Sequence, residues 1–225
     1  MIVGKSISPR RRVLLGGLVI AALSPFAMAG AYDDFFRAVK IDDAGKVKSL
    51  LARGLDPNIV IDAERGDTGL ILALREDSMA VFEVLVNAPN IDLEAKTGNG
   101  DNALMIACFK GNKAAVNALL EKGAEVNRPG WTPLHYAAAN GNIDIVRALL
   151  DKSAYIDAES PNKTTPMMMA ARGGHIHTVK LLLDEGADET LKNELGMNAI
   201  DFAEKYNHHD IAEGLTSRMR KAGKL

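Results

Sequence analysis

Residues 130–157 read GWTPLHYAAANGNIDIVRALLDKSAYID, a stretch in which local chemistry spells out two helices and a break. Thr132 has the side chain of a helix cap, and Pro133 stands at the first helical position, where a missing N–H is harmless. Leu134, Ala137 and Ala138 then give a small-residue face that admits a close neighbour. Gly141 and Asn142 interrupt the run. Beyond them Ile145, Val146, Leu149 and Leu150 recur at i, i+1, i+4 and i+5, the buried stripe of a second helix.

The same plan returns along the chain with a period near 33 residues. Residues 162–188 (NKTTPMMMAARGGHIHTVKLLLDEGAD) and 100–127 (GDNALMIACFKGNKAAVNALLEKGAEVN) keep most of it. Residues 66–92 carry Gly69 in place of the proline, and weaker copies occupy 35–58 and 196–215. Gly54, Gly123 and Gly186 close second helices, where a left-handed residue is wanted. The run TPLHYAA at Thr132–Ala138, with GNIDIVRALL after it, resembles the ankyrin repeat. That resemblance implies an all-α repeat protein, a solenoid of about six helix-turn-helix units with projecting β-hairpin or loop fingers. The units fall near 31–63, 64–97, 98–127, 128–160, 161–193 and 194–225, and make up a domain over 30–225. One helix pair cannot cover its own apolar face, so the units must stack, and the end units must turn polar sides outward. Lys40, Asp42, Asp43, Lys46 and Lys48 serve the first unit. Glu204, Lys205, Asn207, His208, His209 and Asp210 serve the last, before a basic tail of Arg218, Arg220, Lys221 and Lys224.

Equivalent positions Phe35, Leu70, Leu104, Leu134, Met167 and Ile200 are separated by 35, 34, 30, 33 and 33 residues. Only Arg128, Pro129 and Gly130 lie between Asn127 and Trp131, so the finger there is cut short and a gap is expected beside Trp131. The first finger, between Asn58 and Gly66, is two residues longer than the rule.

The N-terminus reads as an export signal. Lys5 and Arg10-Arg11-Arg12 precede an apolar stretch from Val13 to Phe26, and Ala27-Met28-Ala29 offers a cleavage triplet. Residues 1–29 are therefore expected to be a signal peptide cleaved after about Ala29. The run SPRRRVLLGG at Ser8–Gly17 resembles a twin-arginine signal, and a general secretory signal is the other route. Both deliver the mature chain to the periplasm of a Gram-negative cell or outside a Gram-positive one. The apolar stretch falls short of the ~20 residues that span a bilayer, and Gly16, Gly17 and Pro25 weaken it, so no stable membrane anchor is expected.

Composition alone does not choose between one domain and an elongated array, but it narrows the class. An apolar content of 47% excludes wholesale disorder, and with only 5% aromatic residues the core must be built from Ala, Leu, Val and Met. The charge of −2 gives no pull toward nucleic acid. Without the four basic residues of the signal, 27 basic against 29 acidic becomes 23 against 29, a balance of −6. Cys108, the one cysteine, cannot form an intrachain disulfide, and its small, buried motif position favours an inert thiol.

No G-x-S-x-G, H-E-x-x-H, P-loop or dinucleotide fingerprint occurs, so no enzyme, no catalytic residues and no cofactor are expected. The resemblance gives His135 a structural role, bonding neighbouring backbone, and places His175 in an equivalent structural position. His208 and His209 read as solvated surface. Met167, Met168, Met169, His175 and His177 constitute the alternative of a soft-metal or small-ligand site. Against it, Met167 holds a core position and Met168 the motif-histidine position, so no metal ligands are assigned.

Binding is expected where the resemblance puts it, on the concave side formed by fingers and first helices. Transferred position by position, the exposed row is Leu72, Ile106, Tyr136 and Met169, and Trp131 precedes the cap. Phe109, Lys110, Trp131, Tyr136, Asn140, Met169 and Arg172 are the expected partner-binding residues, since aromatic, Met and Arg side chains favour interface centres. The expected function is that of a monomeric, non-enzymatic periplasmic module gripping a folded protein. Similarity to small exported bacterial ankyrin proteins implies an enzyme needing protection or placement, though no residue identifies it. A secreted effector that binds a host protein is a further alternative.

Overall fold

The computed structural model describes residues 25–62 and 64–224. The expected signal peptide lies mostly outside them, and α1 (Pro25–Lys40) begins within its last residues and runs on through the cleavage triplet. α2 (Ala44–Ala52) completes the first pair. The other pairs are α3 (Gly69–Arg75) and α4 (Met79–Val86), α5 (Ala103–Lys110) and α6 (Lys113–Glu121), and α7 (Pro133–Asn140) and α8 (Ile143–Asp151). They are followed by α9 (Pro166–Arg172) with α10 (Ile176–Asp184) and α11 (Ala199–Lys205) with α12 (His209–Lys221). The odd-numbered helices pack on one another in order, as do the even-numbered ones, so each unit leans mainly on its immediate neighbours. One continuous apolar core runs through all six units.

Capping explains where the first helices start. Thr68, Asn102, Thr132, Thr165 and Asn198 all hold extended backbone at the N-cap. Asn102 Oδ1 accepts from the Met105 amide at 3.0 Å, and Asn198 Oδ1 accepts from the Ile200 and Asp201 amides. Satisfying these amides removes donors that the helix itself leaves unpaired. α4 differs, because its own N-cap Ser78 makes no such bond. Instead Asp42 of the preceding unit accepts from Val81 N at 2.8 Å and Ala80 N at 3.3 Å. Asp42 thus does more than decorate the polar end.

The fingers are one short strand pair and otherwise loops, as expected. Among the described residues strand pairing occurs only in the first, where β1 (Val60–Asp62) runs antiparallel to β2 (Asp67–Thr68). This is the finger with the two extra residues, which give the chain room to pair before it turns back. The others are loops and turns. At their bases a ladder of side chains ties successive units. Asn58 Oδ1 accepts from Asp92 N, Glu94 Oε1 from Glu125 N, Asn127 Oδ1 from Tyr155 N and Asp157 Oδ1 from Asp188 N. The distances run from 2.7 to 3.2 Å.

The ends differ in character. The outer side of the last unit is polar, with Glu204, His209, Glu213, Arg220 and Lys221 around an open groove, and Lys224 reaches back to the buried Glu189 at 3.1 Å. The first unit keeps apolar surface at Tyr32, Phe36, Ile59, Val60 and Ile61, partly covered by Lys40, whose ammonium lies 4.6 Å from the Phe36 ring centre.

Candidate protein-binding surface

The site grows out of the shortened connection. With three residues between Asn127 and Trp131, no finger projects there, and Trp131 is left half-buried beside its own helix cap. Its ring meets His135 edge-on at 5.2 Å and Tyr136 at 6.4 Å, and Tyr136 in turn meets Phe109 at 6.2 Å. These edge-to-face pairings suit aromatic quadrupoles. Trp131, His135, Tyr136 and Met169 line a half-open hollow of about 130 Å³, in the place where the gap was expected.

The polar atoms of His135 and Tyr136 are already engaged. Tyr136 donates its hydroxyl to Asp101 Oδ1 at 2.6 Å, and burial together with that carboxylate raises the phenol pKa. His135 Nδ1 lies 3.1 Å from the Thr132 amide, and Nε2 lies 2.9 Å from the Thr164 carbonyl. Because the amide can only donate and the carbonyl only accept, the ring is neutral with its proton on Nε2. Burial lowers its pKa to about 4, against the smaller opposing effect of the Thr164 and Ala158 backbone. In the next unit Met168 holds the equivalent position, and its thioether accepts from Thr165 N at 3.4 Å.

The expected binding residues are only partly brought together. Phe109, 59% exposed, joins Trp131, Tyr136 and Met169 along one face. Lys110 is drawn away to the Asp77 carboxylate at 3.0 Å and the Arg75 carbonyl at 3.1 Å. Asn140 donates to the Phe109 carbonyl at 3.0 Å, and Arg172 stacks over the Tyr206 ring at 5.1 Å. These three tie units together at the rim. Leu72 and Ile106, expected to be exposed, are buried at 1% and 4% exposure. They fill seams between tightly packed first helices, and the row opens only at Tyr136 and Met169, beside the missing finger. Asp67, equivalent in position to Trp131, is fully buried and meets Arg75 Nε at 2.9 Å.

His208 also needs correction. Its Nε2 lies 3.1 Å from the Arg172 carbonyl, as His175 Nε2 lies 2.9 Å from the Ala139 carbonyl one unit earlier. Both rings hold adjacent units together, while His209 is exposed. The alternative soft-metal set is dispersed by these commitments. Met167 and Met168 are buried in the core, and His175 is bonded to Ala139. Among the described residues no group of three or more His, Cys, Asp or Glu side chains could hold a metal ion, and no helix is long and apolar enough to cross a membrane. Cys108 is buried, and desolvation raises its pKa well above the usual thiol range.

Comparison with known proteins places the chain. It matches the family described as ankyrin repeats (3 copies) over residues 35–129, 89–160 and 134–222. The chain belongs to the ankyrin-repeat family, generally a non-enzymatic fold that binds other proteins. It is 35% identical over 179 residues to the human SH3 and multiple ankyrin repeat domains protein 2, a match covering 77% of this chain and 10% of that protein. It is 29% identical over 179 residues to the mouse B-cell lymphoma 3 protein homolog, covering 76% and 40%. To the Xenopus laevis neurogenic locus notch homolog protein 1 it is 34% identical over 177 residues, covering 77% and 7%. The chain thus spans well under half the length of these relatives.

Proposed function

We propose that this protein is an exported, non-enzymatic adaptor that holds a protein partner in the periplasm through its concave face. The observation that carries this reading is the aromatic line Phe109, Tyr136 and Trp131, with Met169 beside it, laid open where a finger is missing. Side chains of these types held in place by neighbouring packing lose little freedom on association, and they favour interface centres. The export half rests on the basic, apolar and small-residue succession over residues 1–29.

The test is capture from periplasmic extract by the mature chain and by its Trp131→Ala/Tyr136→Ala double variant, with crosslinking and mass spectrometry as the readout. Loss of the captured protein, at unchanged helical circular dichroism, supports the surface; equal capture overturns it. Fractionation of cells producing the full chain, with and without residues 1–29, tests the compartment independently.

A further inference from the structure

The chain contains two Asn-Gly steps, Asn99-Gly100 and Asn140-Gly141. Each sets a side-chain carboxamide before a backbone nitrogen that no Cβ shields, so the nitrogen can reach the carboxamide carbon and close a five-membered ring. Whether it does depends on how firmly the fold holds the two groups apart, and the two steps differ there.

Asn140 is the last residue of α7, and its Nδ2 donates to the Phe109 carbonyl at 3.0 Å. The Gly141 nitrogen donates to the carbonyls of Ala137 and Ala138 at 3.0 and 3.2 Å, and the His175 ring packs against that glycine. Cyclisation there requires a helix end to unwind and a contact between units to open. Asn99 stands exposed in the second finger, in a turn outside any helix or strand. Among the described residues none bonds its carboxamide. A single bond, from the Gly100 nitrogen to the Thr97 carbonyl at 2.9 Å, holds the nucleophile. Asn99 lines an open polar hollow of about 310 Å³ with Glu64, Arg65 and Arg75, room enough for the water that reopens the ring.

We propose that Asn99 converts spontaneously to aspartate and isoaspartate, and that the isoaspartate form frees Tyr136 from Asp101. Hydroxide takes the Gly100 amide proton and the nitrogen bonds to Asn99 Cγ. The Cγ–Nδ2 bond breaks, and Nδ2 leaves as ammonia after taking a proton from water. Water then adds to the succinimide. Opening at Cγ leaves aspartate. Opening at the main-chain carbonyl carbon leaves isoaspartate, whose backbone runs through Cβ and Cγ and is one carbon longer.

That extra carbon falls inside a closed turn. Thr97 N donates to the Asp101 carbonyl at 2.8 Å, Asp101 N donates to Thr97 Oγ1 at 3.1 Å, and Gly98 N donates to the Arg65 carbonyl at 2.7 Å. Lengthening the chain between these anchors shifts Asp101, whose Oδ1 accepts the Tyr136 hydroxyl at 2.6 Å. The aromatic line then loses the bond that orients its middle member. Neither half depends on what the protein binds.

The test holds the full chain at mildly alkaline pH and follows it by peptide mass spectrometry, with enzymatic methylation to count isoaspartate. The mass gain of an amide-to-acid conversion is expected at Asn99, with isoaspartate predominating, and conversion at Asn140 should be at least about tenfold slower. Trp131 is the single tryptophan, with its ring 6.4 Å from that of Tyr136, and it reports the second half. Its emission should drift in step with isoaspartate formation and stay constant in Asn99→Gln. Asn99→Asp, measured fresh, brings the new charge without the added carbon and should match the starting emission. Equal conversion at Asn99 and Asn140, or no conversion at Asn99 once a capped Thr97–Asp101 peptide has fully converted, overturns the modification site. Isoaspartate accumulating without a drift in emission, or the same drift in Asn99→Gln, overturns the link to Tyr136.

Discussion

His135 Nε2 donates to the carbonyl oxygen of Thr164 across 2.9 Å, joining the first helix of one unit to the start of the next through a ring that must stay neutral. In the unfolded chain this imidazole titrates near 6.5, and in the fold, chiefly because it is buried, near 4. Between those values the unfolded state binds more protons, so stability falls as pH falls. The contribution is complete above pH 6.5, declines toward pH 4, and amounts to about 3 kcal/mol over that window. His135→Met copies the residue that the next unit uses at this position. It should flatten the decline in urea-unfolding free energy measured between pH 7 and 4.5. An unchanged slope would count against the assignment.

Gly141 meets a different constraint from Gly54. Both have positive φ, +79° and +92°. An added Cβ at Gly141 would come 2.3 Å from His175 Nδ1, whereas at Gly54 nothing lies within 4 Å. Gly54→Ala should therefore cost only the left-handed strain, about 1 kcal/mol. Gly141→Ala should cost clearly more, because it also displaces the ring bonded to Ala139. Urea midpoints of the two variants make the comparison, and equal shifts would show that His175 yields freely.

Asp42 caps a helix that belongs to the next unit. Asp42→Ala leaves the Ala80 and Val81 amides without their acceptor and should destabilise the chain by about 1 kcal/mol. The loss should be concentrated at the N-terminal end. Amide hydrogen exchange resolved by residue should show faster exchange in α4 with α8 unchanged, and a uniform change would refute the local account.

The helix pairs were legible because their information is local. Thr132-Pro133, Gly141-Asn142 and the Ile145–Leu150 stripe each act within a few residues of themselves, and so does the missing finger beside Trp131. What escaped was set by how units meet. His208 looks like surface until the Arg172 carbonyl of the preceding unit comes within reach, and Asp42 looks like a polar cap for its own end. Leu72 and Ile106 stand at positions that are exposed only where a neighbour leaves room. Lys110, Asn140 and Arg172 have the chemistry of an interface, yet each has a partner inside the chain. The signal for these ties was present as a repetition, with His175 and His208 both at the residue before a second helix, but repetition alone does not say what a side chain touches.

Because each unit leans mainly on the units before and after it, no unit is braced by the whole molecule at once. The central pairs, enclosed on both flanks, should melt last, and the terminal ones should peel away first. The aromatic hollow lies between the fourth and fifth of the six units, inside that protected middle. A partner held there is gripped by a part of the chain that stays ordered while the extremities breathe.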